Sequence, residues 1–126
     1  MKASRTILVV DDHPDTAQTF AALLETLGHY AEFVTDPRNA LDAIRRLRPD
    51  AVFLDIEMPE LNGYQLARMV KQEFRAITAV AITGHSSQED RRKAREAGFD
   101  AHVTKPADLD MLQSILDTVL GPPSTA

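Results

Sequence analysis

The feature that most constrains this chain is the alternation of a short apolar segment with a longer amphipathic one, repeated five times along the sequence. The apolar segments are short, and the first of them, residues 6–10, is rich in β-branched residues, which is typical of a strand buried on both faces. They cover residues 6–10, 30–34, 51–54, 77–82 and 101–104. Such an alternation predicts a parallel sheet that is wrapped by helices on both sides through right-handed crossovers.

The intervening segments carry residues that begin and end helices. Pro14 suits the first turn of a helix, Gly28 ends it, and Asp36-Pro37 predicts a cap and first turn for the second helix. Ser86 and Glu89 have the spacing of a capping box before the fourth helix. Apolar residues recur at helical spacing inside these segments, and in the third they are Leu66, Met69, Val70 and Phe74.

A chain of 126 residues, 44% hydrophobic and 26% charged, suffices for one globular domain. We expect a disordered head over residues 1–5, a domain over 6–120, and a flexible tail or linker stump over 121–126. The apolar runs are too short for a signal peptide or a membrane span. A net charge of −5 argues against direct binding of nucleic acid. The absence of cysteine excludes disulfides and thiolate sites and is compatible with a cytoplasmic protein.

Polar residues stand at the carboxyl ends of four of the five predicted strands. Asp11 and Asp12 follow the first strand, Asp55 the third, Thr83 the fourth and Lys105 the fifth. Ligand sites of open parallel sheets lie at this edge. Converging carboxylates need a cation, and oxygen ligands are those that Mg²⁺ prefers. Because a carboxylate can also attack phosphorus, while a metal, an ammonium and a hydroxyl neutralise phosphoryl oxygens, the set predicts phosphoryl chemistry on an aspartate.

Two other patterns are interpreted as structural. The histidines lack the spacing of metal ligands, so no zinc site is expected; they are His13, His29, His85 and His102. The basic run over residues 91–95 predicts the solvated face of the fourth helix, and a docking face for a partner is the alternative.

Four segments of the sequence resemble the receiver, or response-regulator, family. They are Ile7-Leu8-Val9-Val10-Asp11-Asp12, Asp55-Ile56-Glu57-Met58-Pro59 with Gly63, Ala81-Ile82-Thr83-Gly84, and Thr104-Lys105-Pro106. All four occur in order at the predicted strand ends. The resemblance implies a flavodoxin-like doubly wound α/β fold, with a five-stranded parallel sheet in the order 2-1-3-4-5 flanked by five helices.

The resemblance also implies the composition of a metal site. Asp55 would be the phosphoacceptor. Asp12 and Asp55 would ligate Mg²⁺, or Mn²⁺ in its place, with Asp11 in the same pocket and often acting through water. The backbone carbonyl of Glu57 would complete the share of the ligands that the protein supplies.

The remaining catalytic residues implied by the resemblance are Thr83 and Lys105. Both would contact the phosphoryl group, and the Lys105–Pro106 peptide bond is expected to be cis. Movement of Thr83 toward the phosphoryl group would bias a two-state surface formed by the fourth helix, the fifth strand and the fifth helix.

The sequence departs from the family pattern at two positions near this switch. His102 stands where Tyr or Phe is usual, and Gly84 stands where Ala or Ser is commoner. His85 and Glu57 would border the phosphoryl group, and they are interpreted as residues that tune the lifetime of the phosphorylated state. The alternative is that both are exposed loop residues.

By resemblance, the chain is a switch that receives a phosphoryl group from a sensor histidine kinase or a histidine phosphotransfer protein. It would signal to a downstream protein target as a monomer or a phosphorylation-linked dimer, without turning over an external substrate. The alternatives are a degenerate receiver that only binds partners, the receiver piece of a hybrid histidine kinase, and a Mg²⁺-dependent phosphatase. A degenerate receiver is expected to lack an acidic residue or the lysine, and a phosphatase needs a substrate cap for which the loops look too short.

Overall fold

The computed structural model describes residues 4–58, 63–84, 88–106 and 108–121. Five parallel strands lie in the order β2-β1-β3-β4-β5, and five α-helices are found in the described ranges. The strands are β1 (Thr6–Val10), β2 (Tyr30–Val34), β3 (Ala51–Asp55), β4 (Thr78–Thr83) and β5 (Ala101–Thr104). The helices are α1 (Pro14–Thr26), α2 (Ala40–Leu47), α3 (Gly63–Glu73), α4 (Gln88–Ala97) and α5 (Leu109–Leu120). The predicted doubly wound sheet and its strand order are confirmed.

The core has two layers, one on each face of the sheet, because successive residues of a strand point to opposite faces. One layer joins the sheet to α2, α3 and α4, and its strand residues include Leu8, Val10, Val52, Leu54, Ala79 and Ala81. The other joins it to α1 and α5, and its strand residues include Ile7, Val9, Phe53, Val80, Ile82 and Val103. Burial on both faces explains why β1, β3 and β4 are almost entirely apolar.

One local prediction for the helices is corrected. Pro37 begins a short 3-10 turn, Pro37–Asn39, and α2 starts only at Ala40. The side chain of Asp36 caps that turn by accepting from the Arg38 N–H at 2.9 Å. Met69 shares helical spacing with the buried residues of α3, yet it is 40% exposed. The predicted capping box at Ser86 lies outside the described residues.

The described parts of the two chain ends lie near one another. The Arg5 guanidinium donates to the carbonyl of Leu120 at 3.1 Å, and the Ser4 hydroxyl donates to the carbonyl of Gly28 at 3.1 Å. Residues 1–3 and 122–126 of the predicted head and tail lie outside the described residues. Within the described ranges, the helices are all too short or too polar to cross a membrane.

The strand register determines which residues meet at the carboxyl edge of the sheet. Val10 pairs with Leu54, so Asp11 follows β1 at the level where β3 ends in Asp55. On the other side of β3, Thr83 pairs with Thr104, which places Lys105 one residue beyond the end of β5. The polar residues from four separate segments are therefore brought to one edge, as predicted.

Candidate functional site

Three polar side chains are buried at the carboxyl edge of the sheet. Asp11, Asp55 and Thr83 are the buried polar or charged residues of the described chain, with exposed fractions of 0%, 1% and 3%. Asp12 lies beside them, with its side chain 23% exposed. Buried carboxylates are costly unless they are paired or bind a cation. Their concentration at one point of an otherwise apolar core therefore indicates a site rather than a structural feature.

Lys105 provides positive charge to this pocket. Its Nζ lies 3.3 Å from Asp11 Oδ2 and 3.4 Å from Asp55 Oδ2. Burial opposes the charged form of the lysine, but the carboxylates of Asp55 and Asp11 outweigh burial and raise the pKa of Lys105 above its usual value. Burial, reinforced by the negative charge of Asp11, raises the pKa of Asp55. One ammonium is therefore shared by two buried carboxylates.

The same carboxylates have the arrangement of a cation site. Asp11, Asp12, His13 and Asp55 each offer one ligand atom, and these four atoms lie within 4.8 Å of one another. Asp11 Oδ2 and Asp12 Oδ1 are buried, and neither accepts a hydrogen bond from the described residues. Buried oxygens without donors are those that a metal ion would satisfy. Carboxylate oxygens suit Mg²⁺, so the predicted metal fits the residues present.

His13 belongs to this group, although its sequence spacing predicted no metal role. Its Nδ1 lies 3.3 Å from Asp11 Oδ1 and 3.2 Å from Asp12 Oδ1. Its backbone N–H donates to Asp11 Oδ1 at 3.0 Å. His13 is the N-cap residue of α1 but makes no side-chain cap there. The turn between β1 and α1 directs its ring back to the pocket, and the position directly after Asp11-Asp12 was the only signal of this in the sequence.

The turn after β3 holds Asp55 in place. The Glu57 N–H donates to Asp55 Oδ1 at 2.8 Å. Gly63, the first residue of α3, lies against the same turn, and a Cβ on it would come within 2.5 Å of the Asp55 carbonyl oxygen and 2.7 Å of Ile56 Cα. The absence of a side chain at Gly63 is therefore what lets α3 approach the strand that carries Asp55.

Thr83 connects the pocket to the surface around α4. A small cavity between β4, α4 and β5 is lined by Ile56, Ala81, Thr83, Asp90, Arg91, Ala94 and His102. Burial, with the neighbouring charge of Arg91, lowers the pKa of His102. Thr83 and His102 thus line one cavity, and this cavity lies against α4. His85, the other histidine predicted near Thr83, lies outside the described residues.

Three further predictions concern residues near the pocket. The Lys105–Pro106 peptide bond is cis, as the resemblance implied. Among the described residues, a Cβ on Gly84 would meet only Glu57 Oε2, at 3.9 Å. On α4, Lys93 Nζ lies 3.7 Å from Glu89 Oε1 and Arg92 Nη1 lies 2.9 Å from Glu96 Oε1, and both are i,i+4 pairs.

The fold and the pocket together are an open parallel sheet with buried carboxylates and one lysine at its carboxyl edge. Residues 7–117 match the family model of the response regulator receiver domain. The chain therefore belongs to the receiver domains of two-component signalling, which are switches rather than turnover enzymes.

Known proteins of two kinds are similar to this chain. The sensor histidine kinase RcsC of Salmonella typhimurium is 33% identical over 110 residues, 87% of this chain but only 12% of the kinase. The polar-differentiation response regulator DivK of Brucella anthropi is 27% identical over 119 residues, 93% of this chain and 97% of DivK. Receiver domains related to this one thus occur both inside a large kinase and as nearly the whole of a small protein.

A solved structure provides a comparison for the pocket. The receiver domain of the sensor histidine kinase PA1611 from Pseudomonas aeruginosa is 31% identical, with a TM-score of 0.83, and the match covers 94% of this chain and 99% of that one. That structure has a magnesium ion coordinated in its active-site cleft. The agreement in fold extends over nearly the whole of both chains.

Proposed function

We propose that this receiver takes a phosphoryl group onto Asp55 from a sensor histidine kinase or a histidine phosphotransfer protein, in a Mg²⁺-dependent step. The observation that carries the proposal is the burial of Asp55 beside Lys105 and two further carboxylates, each of which has one buried oxygen that accepts no hydrogen bond from the described residues. The proposal includes a cytoplasmic location, where such a kinase would present its phosphohistidine.

The chemistry assigned to the pocket is nucleophilic transfer. A carboxylate oxygen of Asp55 bonds to phosphorus while the P–N bond of the donor phosphohistidine breaks and the histidine nitrogen takes up a proton. Asp11, Asp12, Asp55 and the Glu57 carbonyl would hold Mg²⁺, which supplies positive charge to the phosphoryl oxygens. Lys105 Nζ, already near both buried carboxylates, remains to pair with the phosphoryl group.

The output proposed for the switch is a change in the surface formed by α4, β5 and α5. The buried residues of α4 are two alanines, Ala94 and Ala97, so little apolar surface holds this helix in one position. Thr83 and His102 line the cavity beneath it. Movement of the Thr83 hydroxyl toward a phosphoryl group on Asp55 would alter that cavity and bias α4. His102, Gly84 and Glu57 would tune this response and the lifetime of the phosphorylated state.

Two observations bear on the alternatives. A receiver that only binds partners would not need buried acids and a lysine in mutual contact, and those contacts favour phosphorylation. The similarity to RcsC supports a receiver within a hybrid kinase, and the similarity to DivK supports an independent response regulator. A downstream protein target, with either a monomer or a phosphorylation-linked dimer as the active form, is part of the proposal in both cases.

The test is phosphorylation by a small donor such as acetyl phosphate, followed by intact-mass spectrometry. We expect a single phosphoryl adduct that requires Mg²⁺ and is absent in Asp55→Asn. The matched control is Asp110→Asn, the same substitution on the exposed first turn of α5. A protein that binds Mg²⁺ yet forms no adduct with any donor would contradict the proposal and favour the partner-binding alternative.

The switch is tested separately with Thr83→Val, which keeps the volume but removes the hydroxyl. We expect this variant to form the adduct on Asp55 while the amide NMR signals of α4 no longer shift on phosphorylation. If the α4 signals shift as in the wild type, Thr83 is not the residue that couples the pocket to this surface.

A further inference from the structure

We propose that His13 is an additional metal ligand of the acidic pocket, and that its imidazole gives this receiver a selective affinity for transition-metal ions such as Ni²⁺ and Mn²⁺. This inference rests on the proposed metal site at Asp11, Asp12 and Asp55. It goes beyond that site by adding a nitrogen ligand from a residue that the metal-site expectation did not include.

The first argument is distance. Two ligands on adjacent corners of an octahedral site, each about 2.1 Å from the ion, are about 3 Å apart. His13 Nδ1 lies 3.2 Å from Asp12 Oδ1 and 3.3 Å from Asp11 Oδ1. Both separations match adjacent ligands of one ion. One ion can therefore contact the ring nitrogen and the carboxylates with only small side-chain adjustments.

The second argument is the bonding state of the carboxylates. Asp12 Oδ1 is buried and accepts no hydrogen bond from the described residues, even though His13 Nδ1 is 3.2 Å away. Asp11 is fully buried, and its Oδ2 likewise accepts no hydrogen bond of good geometry, although the Lys105 ammonium lies 3.3 Å from it as an ion pair. The ring therefore lies beside Asp12 Oδ1 without satisfying it. A cation between the two groups would satisfy both.

The third argument is access. The His13 side chain is 64% exposed, so the ring can turn at the rim of the pocket without disturbing the core. The ring forms no cap on α1, and the hydrogen bond between its Nδ1 and Asp11 Oδ1 at 3.3 Å is the contact that coordination of an ion would replace. An ion that enters from solvent would meet His13 and Asp12 before it reaches the buried Asp11 and Asp55.

The chemistry of the ligands predicts for which metal ions the His13 imidazole raises the affinity of the pocket. Mg²⁺ prefers oxygen and gains little from an imidazole, whereas Ni²⁺ binds imidazole well and Mn²⁺ accepts it. The contribution of His13 should therefore appear as a difference between metals. A general change in pocket shape or charge would affect all of these ions alike.

The experiment is calorimetric titration of the full chain with MgCl₂ and, separately, NiCl₂, for wild type, His13→Ala and His29→Ala. His29 is the matched control because it lies at the opposite end of the sheet, where its Nδ1 accepts from the Arg5 N–H. Excess Mg²⁺ is added in a second Ni²⁺ titration so that only Ni²⁺ bound in the pocket is displaced. Pulsed EPR of bound Mn²⁺ gives an independent readout, because a directly coordinated nitrogen modulates the signal.

We expect His13→Ala to weaken Mg²⁺-displaceable Ni²⁺ binding about tenfold or more, with Mg²⁺ affinity changed less than about twofold. His29→Ala should behave as wild type, and the nitrogen modulation of Mn²⁺ should disappear only in His13→Ala. Equal weakening of both metals, unchanged Ni²⁺ affinity, or the absence of nitrogen modulation in wild type would overturn the proposal. Failure of wild type to bind Mg²⁺ would instead overturn the metal site on which the proposed function depends.

Discussion

Replacing Gly63 by alanine should destabilise the protein and disturb the position of Asp55 together. The added Cβ would lie 2.5 Å from the Asp55 carbonyl oxygen, 2.7 Å from Ile56 Cα and 3.0 Å from the Asp55 carbonyl carbon. Contacts between non-bonded heavy atoms are favourable at about 3.5–4.0 Å. The backbone of either the β3 turn or α3 must therefore move by close to 1 Å. No side-chain rotation can relieve the overlap, because all three atoms are main chain.

The size of the effect follows from the cost of overpacking. Inserting a methyl group into a well-packed region costs about 1–3 kcal/mol, and the rigid neighbours here favour the upper end. Alanine also favours helix over glycine by about 1 kcal/mol, but at the first residue of α3 that gain is only partial. With a urea slope of about 1–3 kcal/mol per molar for a small domain, the unfolding midpoint should fall by about 1 M.

The assay is urea unfolding followed by circular dichroism, with the rate of acetyl phosphate labelling measured on the same samples. Gly84→Ala is the matched control, since the one described atom that its Cβ would meet is Glu57 Oε2 at 3.9 Å, an ordinary contact. We expect the control to stay within about 0.5 kcal/mol of wild type. Gly63→Ala should lose stability and label more slowly. Equal stability of the two variants would refute the reasoning from the Gly63 approach.

Three further predictions concern the pocket and its support. Burial and the charge of Asp11 raise the pKa of Asp55, so Asp55→Asn should stabilise the metal-free protein at neutral pH and raise its unfolding midpoint in urea. This gain in stability should shrink as the pH falls from the raised pKa of Asp55 in the folded state to the ordinary pKa of an aspartate. Over that range the wild-type carboxyl becomes neutral in the folded protein and no longer opposes folding. Mg²⁺ at about ten times its Kd should raise the free energy of unfolding by about 1.4 kcal/mol, and Asp12→Asn should remove most of this gain in a thermal melt. Asp100→Ala should cost about 1–3 kcal/mol in urea, because Asp100 Oδ2 accepts from the Ala79 N–H at 2.9 Å and Lys71 Nζ at 2.8 Å.

Much of the fold was readable from the sequence because burial on two faces leaves a simple pattern. The strand at 6–10, which is buried over nearly its whole length, was predicted with the bounds that the structure gives. The edge strands at 30–34 and 101–104 were predicted with the observed bounds as well, although they are only partly buried. The strand order came from the family resemblance, since periodicity alone contains no information on which strands are neighbours. Gly28 was correctly placed as a helix end, and its φ of +96° explains why a glycine is needed there.

The errors arose where one local pattern suits two structures. Proline can begin a short 3-10 helix as well as an α-helix. The position of Pro37 therefore did not determine where α2 begins. Met69 has helical spacing, but at 40% exposure it lies at the margin of the buried stripe. The pocket position of His13 depends on the direction of one side chain in a turn, which spacing along the sequence does not determine.

The central claim, that Asp55 carries the phosphoryl group, is tested most directly by identifying the modified residue. The protein is phosphorylated with acetyl phosphate and Mg²⁺, then reduced with borohydride, which converts an acyl phosphate of aspartate to homoserine. Peptide mass spectrometry then locates the homoserine. We predict homoserine at position 55 only, and only when Mg²⁺ was present during labelling. Homoserine at Asp11 or Asp12, or an unmodified Asp55 in a protein that carries the adduct elsewhere, would contradict the account.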